Sequence, residues 1–184
     1  MIQSNHKVVI FITLLGCASI FLITDYVHSQ PIATKVLVRA ISRDAKVIGT
    51  KVGGARITIF NEATGKVMAQ GIQTGGTGTT EKIMIKPRVR GETVYDTPNT
   101  AGFLATLELA RPTIVTVVAE GPLEPPQSTY KASKTLLVVP GQDILGEGIL
   151  LEIHGFRVSL LSPAADAEFH NNEKITVTAN ITMT

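Results

Sequence analysis

The sequence predicts an all-β fold, a β-sandwich preceded by a hydrophobic N-terminal signal or anchor helix. Three observations predict it. From residue 36 to residue 183, apolar and polar side chains alternate in short runs, the period of a strand with one buried face. Gly, Pro, Asn and Asp separate those runs, and no stretch after residue 29 keeps a helical period. The composition also supports a core. Hydrophobic residues make up 44% of the 184 and charged residues 17%, which excludes a disordered chain.

The N-terminal element spans residues 1–29. Residues 8–24 (VVIFITLLGCASIFLIT) form an uncharged apolar run that His6 and Lys7 precede and Asp25 ends. A soluble domain does not place such a run at its extreme N-terminus, so it reads as an export element. Three forms stay open. Cleavage after Ser29, with Val27 and Ser29 at the small-residue positions, would free the rest. A retained helix would span roughly 25 Å, slightly short of a bilayer core. Leu14-Leu15-Gly16-Cys17 looks like a lipobox, which would place a lipid on Cys17, although the apolar run continues past it where a polar tether is expected. Each form places the chain outside the cytoplasm, secreted or membrane-anchored at the cell envelope. Cys17 is the only cysteine, so neither an intrachain disulfide nor a cysteine metal site can form.

The strands follow in order. Val36, Val38 and Ala40 share one face of the first. Residues 56–60 form a second, with Ile57 and Ile59 on one side. Asn61-Glu62-Ala63-Thr64-Gly65 is a hairpin loop whose glycine is free to take positive φ, and residues 66–70 return. Residues 74–80 (TGGTGTT) form a glycine-rich loop, and residues 82–86 read as a strand with Ile83 and Ile85 on one face. Phe103, Ala105, Leu107 and Leu109 alternate with Leu104, Thr106 and Glu108. After Pro112, residues 113–119 (TIVTVVA) carry apolar or β-branched side chains on both faces, which suits a central strand. Residues 121–127 form a rigid loop. Residues 135–139 and 149–153 flank a turn at Gly141-Gln142-Asp143. Finally, Ile175, Val177, Ala179, Ile181 and Met183 line one face of a strand over residues 174–184, with Thr176, Thr178, Asn180 and Thr182 opposite. Those five apolar residues are the candidate partner-binding strand.

Two resemblances sharpen this outline. Gly54-Ala55-Arg56-Ile57-Thr58-Ile59-Phe60-Asn61, then Thr64-Gly65-Lys66-Val67, resembles the opening of carboxypeptidase regulatory-like domains. The later Thr100-Ala101-Gly102-Phe103-Leu104-Ala105-Thr106-Leu107 looks like their "G-x-F-x-x-x-L" strand. The resemblance covers residues 33–155 and implies a prealbumin-like β-sandwich, one that accompanies enzymes and does not itself react. A longer glycine-rich and basic insertion between Gly71 and Asn99 departs from it. Val158-Ser159-Leu160-Leu161-Ser162-Pro163-Ala164, then Phe169, resembles the start of a bacterial immunoglobulin-like domain, so residues 156–184 read as part of one. Such a domain needs roughly 100 residues. These strands therefore either join the first sandwich or stand out and seek a partner.

Chemistry is sparse. The glycine-rich loop lacks the G-x-x-x-x-G-K-[ST] phosphate signature, and there is no G-x-S-x-G, H-E-x-x-H or aspartate-rich calcium loop. Asp166, Glu168 and His170 at alternate positions are the best metal candidates, and Glu152 with His154 form a similar pair; a wet polar face is the expected reading of both. Lys86, Arg88 and Arg90 form a basic strip that protects an edge, or else meets anionic headgroups or an acidic partner. Asn180-Ile181-Thr182 fits a glycosylation acceptor. The net charge of +2, without a basic block, excludes a nucleic-acid partner, and the lack of tryptophan weakens a sugar platform. The expectation is a non-catalytic module with no metal, cofactor or small-molecule substrate. It would serve structural support, adhesion or protein binding, or act as an accessory subunit of a membrane or envelope complex held by its N-terminal helix.

Overall fold

Val36, Val38 and Ala40 are fully buried on β1 (Ile32–Ser42), and the same alternation builds the strands around it. The computed structural model describes residues 30–43 and 45–183. The predicted signal or anchor segment and Cys17 lie outside the described residues. Nine strands follow in order: β1, β2 (Ala55–Asn61), β3 (Val67–Gln73), β4 (Phe103–Leu109), β5 (Thr113–Gly121), β6 (Tyr130–Val138), β7 (Ile144–Ile153), β8 (Phe156–Ser162) and β9 (Thr178–Met183). The described helical content is three short turns. Among the described residues no helix is long and apolar enough to cross a membrane. The described residues are therefore all-β, as their patterning predicts.

The first seven strands form two sheets. One has the order β4-β1-β7, the other β3-β2-β5-β6. The β1–β7 pairing is parallel and the others are antiparallel. Ile57, Ile59, Val115 and Val117 of one sheet share a single core with Val36, Val38, Leu107 and Leu151 of the other. Each such side chain contributes about 1.5–3 kcal/mol by leaving water, so this layer dominates the stability. β5 lies between β2 and β6, the central place its apolar composition predicts. The Asn61–Gly65 hairpin also matches expectation. Gly65 sits at φ 67°, and the Asn61 side chain accepts the Thr64 N–H at 3.0 Å.

The insertion after β3 folds back as a cap. Ile41 on the outer face of β1 meets Val47, Ile83, Tyr95 and Ala101 in a second, smaller core. Arg39 is buried beside it and ties the cap down. Its guanidinium donates to the carbonyls of Thr100 (3.1 Å), Ala101 (2.9 Å) and Gly146 (3.2 Å), and meets the Asp96 carboxylate at 3.4 Å. The Glu147 carboxylate accepts the Val94 and Tyr95 N–H groups from the other side.

Two expectations need correction. Residues 82–86 are not a strand: Glu81–Ile85 is a π-helical turn. The segment closes on itself instead of joining a ladder: the Lys86 N–H donates to the Glu81 carbonyl at 2.9 Å, the i→i+5 bond of a π turn. Ile83 instead enters the small core while Ile85 stays exposed. The second correction concerns the last strand, which begins at Thr178 and not at residue 174. Its partner β8 ends at Ser162, paired with Thr178. Pro163 then follows and has no N–H to extend the ladder.

Candidate binding surface

β8 and β9 form a separate two-stranded antiparallel ribbon. Phe156 pairs with Met183, Val158 with Ile181 and Leu160 with Ala179. Residues two apart on a strand point the same way, so these six side chains share one face. None of them is covered. The five larger ones are 47–64% exposed, and Ala179 is exposed as well. Of the five residues expected on the partner-binding strand, Ala179, Ile181 and Met183 lie in β9. Ile175 and Val177 precede it, exposed and without a facing strand.

The other half of the surface, Phe156, Val158 and Leu160, was not singled out from the sequence. Its signal is the apolar alternation in Val158-Ser159-Leu160. Alternation tells which side chains share a face, but the strand they pair with becomes apparent only from the ladder.

The ribbon is joined to the two-layer body at Gly155. A Cβ at this position would run into the Arg43 carbonyl, so a residue with a side chain cannot keep this junction. The Arg43 N–H donates to the Ile153 carbonyl at 2.8 Å on the same side. The Ser128 hydroxyl donates to the Val158 carbonyl at 3.3 Å and engages the outer edge of β8. A cleft of about 290 Å³ opens at this junction between Arg43, Tyr130, His154, Gly155, Phe156 and Val158. Tyr130 and His154 meet edge to face in its wall, with ring centroids 5.0 Å apart, a favoured aromatic geometry.

The remaining candidates are dispersed or already paired. Asp166, Glu168 and His170 are exposed, and the Glu173 carboxylate accepts the backbone N–H of His170 at 3.0 Å, not its ring. No three His, Cys, Asp or Glu among the described residues lie close enough to hold a metal ion. Glu152 pairs with Arg43 at 2.7 Å, and the His154 ring packs on Tyr130. In the basic strip, Lys86 pairs with Glu81 at 3.0 Å. Arg88 donates to the Tyr95 hydroxyl at 2.9 Å and lies over its ring, 5.7 Å from the centroid. Asn180 is exposed on the polar face of the ribbon. On the body, Lys131 and Arg56 both pair with Glu120. The hydrogen bond from Lys131, reinforced by Arg56, holds the Glu120 carboxyl below the usual carboxylate range.

No family model matches the chain, and neither the curated proteins nor the solved structures contain a match to it.

Proposed function

We propose that this chain is a non-catalytic, extracytoplasmic β-sandwich module for structural support, adhesion or protein binding, with the β8–β9 ribbon as its docking element. One observation carries the reading: six apolar side chains stand in register on one face of a two-stranded ribbon and stay in water. A lone two-stranded ribbon is marginally stable, and an apolar patch of several hundred Å² normally marks an interface. A covering partner answers both points.

The partition of the strands supports the prealbumin-like reading of residues 33–155. The first, fourth and seventh strands share one sheet, and the second, third, fifth and sixth share the other. The constant-type immunoglobulin arrangement instead groups the first, second, fourth and fifth. In a second reading the chain is an accessory subunit of a membrane or envelope complex, anchored by its N-terminal helix. What favours it is the uncharged apolar run over residues 8–24 together with the uncovered face of the ribbon. Lipidation at Cys17 would be another route to attachment, weaker than a retained helix.

Two measurements test the proposal. Protease added to intact cells or spheroplasts should digest residues 30–184; full protection until lysis would refute the export reading. Replacing Val158 and Ile181 together with Asp should release bound protein from the native assembly while the two-layer body keeps its fold. Retention of all partners would remove the ribbon from the function. Intact mass of the native chain separates cleavage, lipidation and retention of the N-terminal segment.

A further inference from the structure

We infer that the occupant of the ribbon's apolar face is a second copy of this chain, stacked face to face and head to tail; this rests on the docking reading proposed above. The face is graded along the strands. Phe156 and Met183, both large, stand at the end nearest the body, whereas Leu160 and Ala179 stand at the far end with Val158 and Ile181 between. A two-fold axis across the strands, above the Val158–Ile181 pair, reverses that gradient in the second copy. Phe156 then lies over Leu160 of the second copy, Met183 over Ala179, and Val158 and Ile181 each over their own equivalents. Met183 thus meets the small Ala179 and Phe156 the shorter Leu160, which lets the ends of the two layers fit together.

The same operator sends the two bodies to opposite ends of the stack, with the connection over residues 163–177 of each copy at the far end of its own ribbon. It also brings the far tip of one ribbon to the near end of the other. That tip carries an extra residue: Leu160 pairs with Ala179 and Ser162 with Thr178, which leaves Leu161 in a bulge, exposed. The near end holds the 290 Å³ cleft beside Phe156, a recess for that tip.

Charge and area agree with this occupant. None of the six face residues is charged, and β9 carries no charged residue at all. The face therefore offers no electrostatic complement to a charged partner, and like charges do not oppose its own copy. The six side chains offer on the order of 500 Å² per copy, so the pair buries roughly 1,000 Å², the lower bound for a specific interface of good complementarity. The resulting dimer is weak and concentration-dependent. Its interface is isologous, as in most homodimers.

Stacked sheets lie about 10 Å apart, beyond disulfide reach, so a short bismaleimide is the suitable probe. The full-length chain carries Cys17→Ser, with Val158→Cys or Ile181→Cys as its single thiol. Leu137→Cys, exposed on β6, is the control. Covalent dimers should form from the first two and not from the control. Sedimentation of the detergent-solubilised chain should show a monomer–dimer equilibrium that Ile181→Asp weakens at least about tenfold. Monomers throughout at about 100 µM, above the micromolar range expected for such an area, overturn the inference. Equal cross-linking of the Leu137→Cys control overturns it too. If the chain is monomeric and Ile181→Asp loses a different protein from the native assembly, the second copy is wrong and the docking reading stands. If Ile181→Asp alters neither, both fail.

Discussion

Beyond Val38, β1 no longer has β4 beside it, and the Gln73 side chain takes over its hydrogen bonds. The Gln73 amide is fully buried. Its oxygen accepts the Ala40 N–H at 2.6 Å, and its nitrogen donates to the carbonyls of Ala40 (3.0 Å) and Ile48 (2.8 Å). Gln73→Leu would take this partner from the Ala40 N–H and the Ile48 carbonyl, while the Ala40 carbonyl keeps the Ile48 N–H at 3.1 Å, so it should destabilise the protein by about 2–4 kcal/mol in denaturant titration. A loss below about 0.5 kcal/mol would show that water replaces the amide. Glu120 makes a smaller, pH-dependent contribution. Its folded pKa is lowered from the ordinary 4.5, so its stabilisation is present above that value and fades as pH falls through the lowered one. Because the pair sits at the surface, Glu120→Gln should cost at most about 1 kcal/mol at neutral pH. The gap between the two proteins should close on acidification from about pH 5 downward. A gap that persists unchanged in acid would mean that Glu120 acts by packing alone.

Among the elements, the cap over β1 depends most on a single side chain. Arg39 is buried, and its terminal nitrogens hold Asp96, Thr100 and Ala101 of the cap, while its Nε has no hydrogen-bond partner. Arg39→Met should free residues 81–101 from the sheet. Their amides should exchange faster while those of β2 and β5 stay protected, and the cost should be about 2–3 kcal/mol. Unchanged exchange in this segment would assign the cap to Ile83 and Tyr95 alone. This element was also the least legible in the sequence. Ile83 and Ile85 have strand spacing, but they do not share a face: Ile83 is buried in the small core while Ile85 stays exposed. β1, β2, β4 and β5 were readable because each buries one face and so shows its period directly. The ribbon was half readable. The alternation in β9 marks a face, but the early end of β8 before Pro163 removes Ile175 and Val177 from the ladder.

At the scale of the whole molecule, two kinds of apolar surface are placed very differently. The inner faces of the seven-stranded body are closed over one another, while the face of the ribbon is open. Val158→Asp with Ile181→Asp should therefore shift the melting temperature of the isolated protein by less than about 2 °C, since neither side chain belongs to the body's core. A fall of several degrees would mean that the ribbon packs on the body. The central claim is that a partner covers the ribbon in the native assembly. Amide exchange of Thr178–Met183 in that assembly tests it most directly. The account predicts slow exchange that becomes fast when Val158 and Ile181 are both replaced by Asp. Fast exchange across β9 in the unaltered assembly would contradict it.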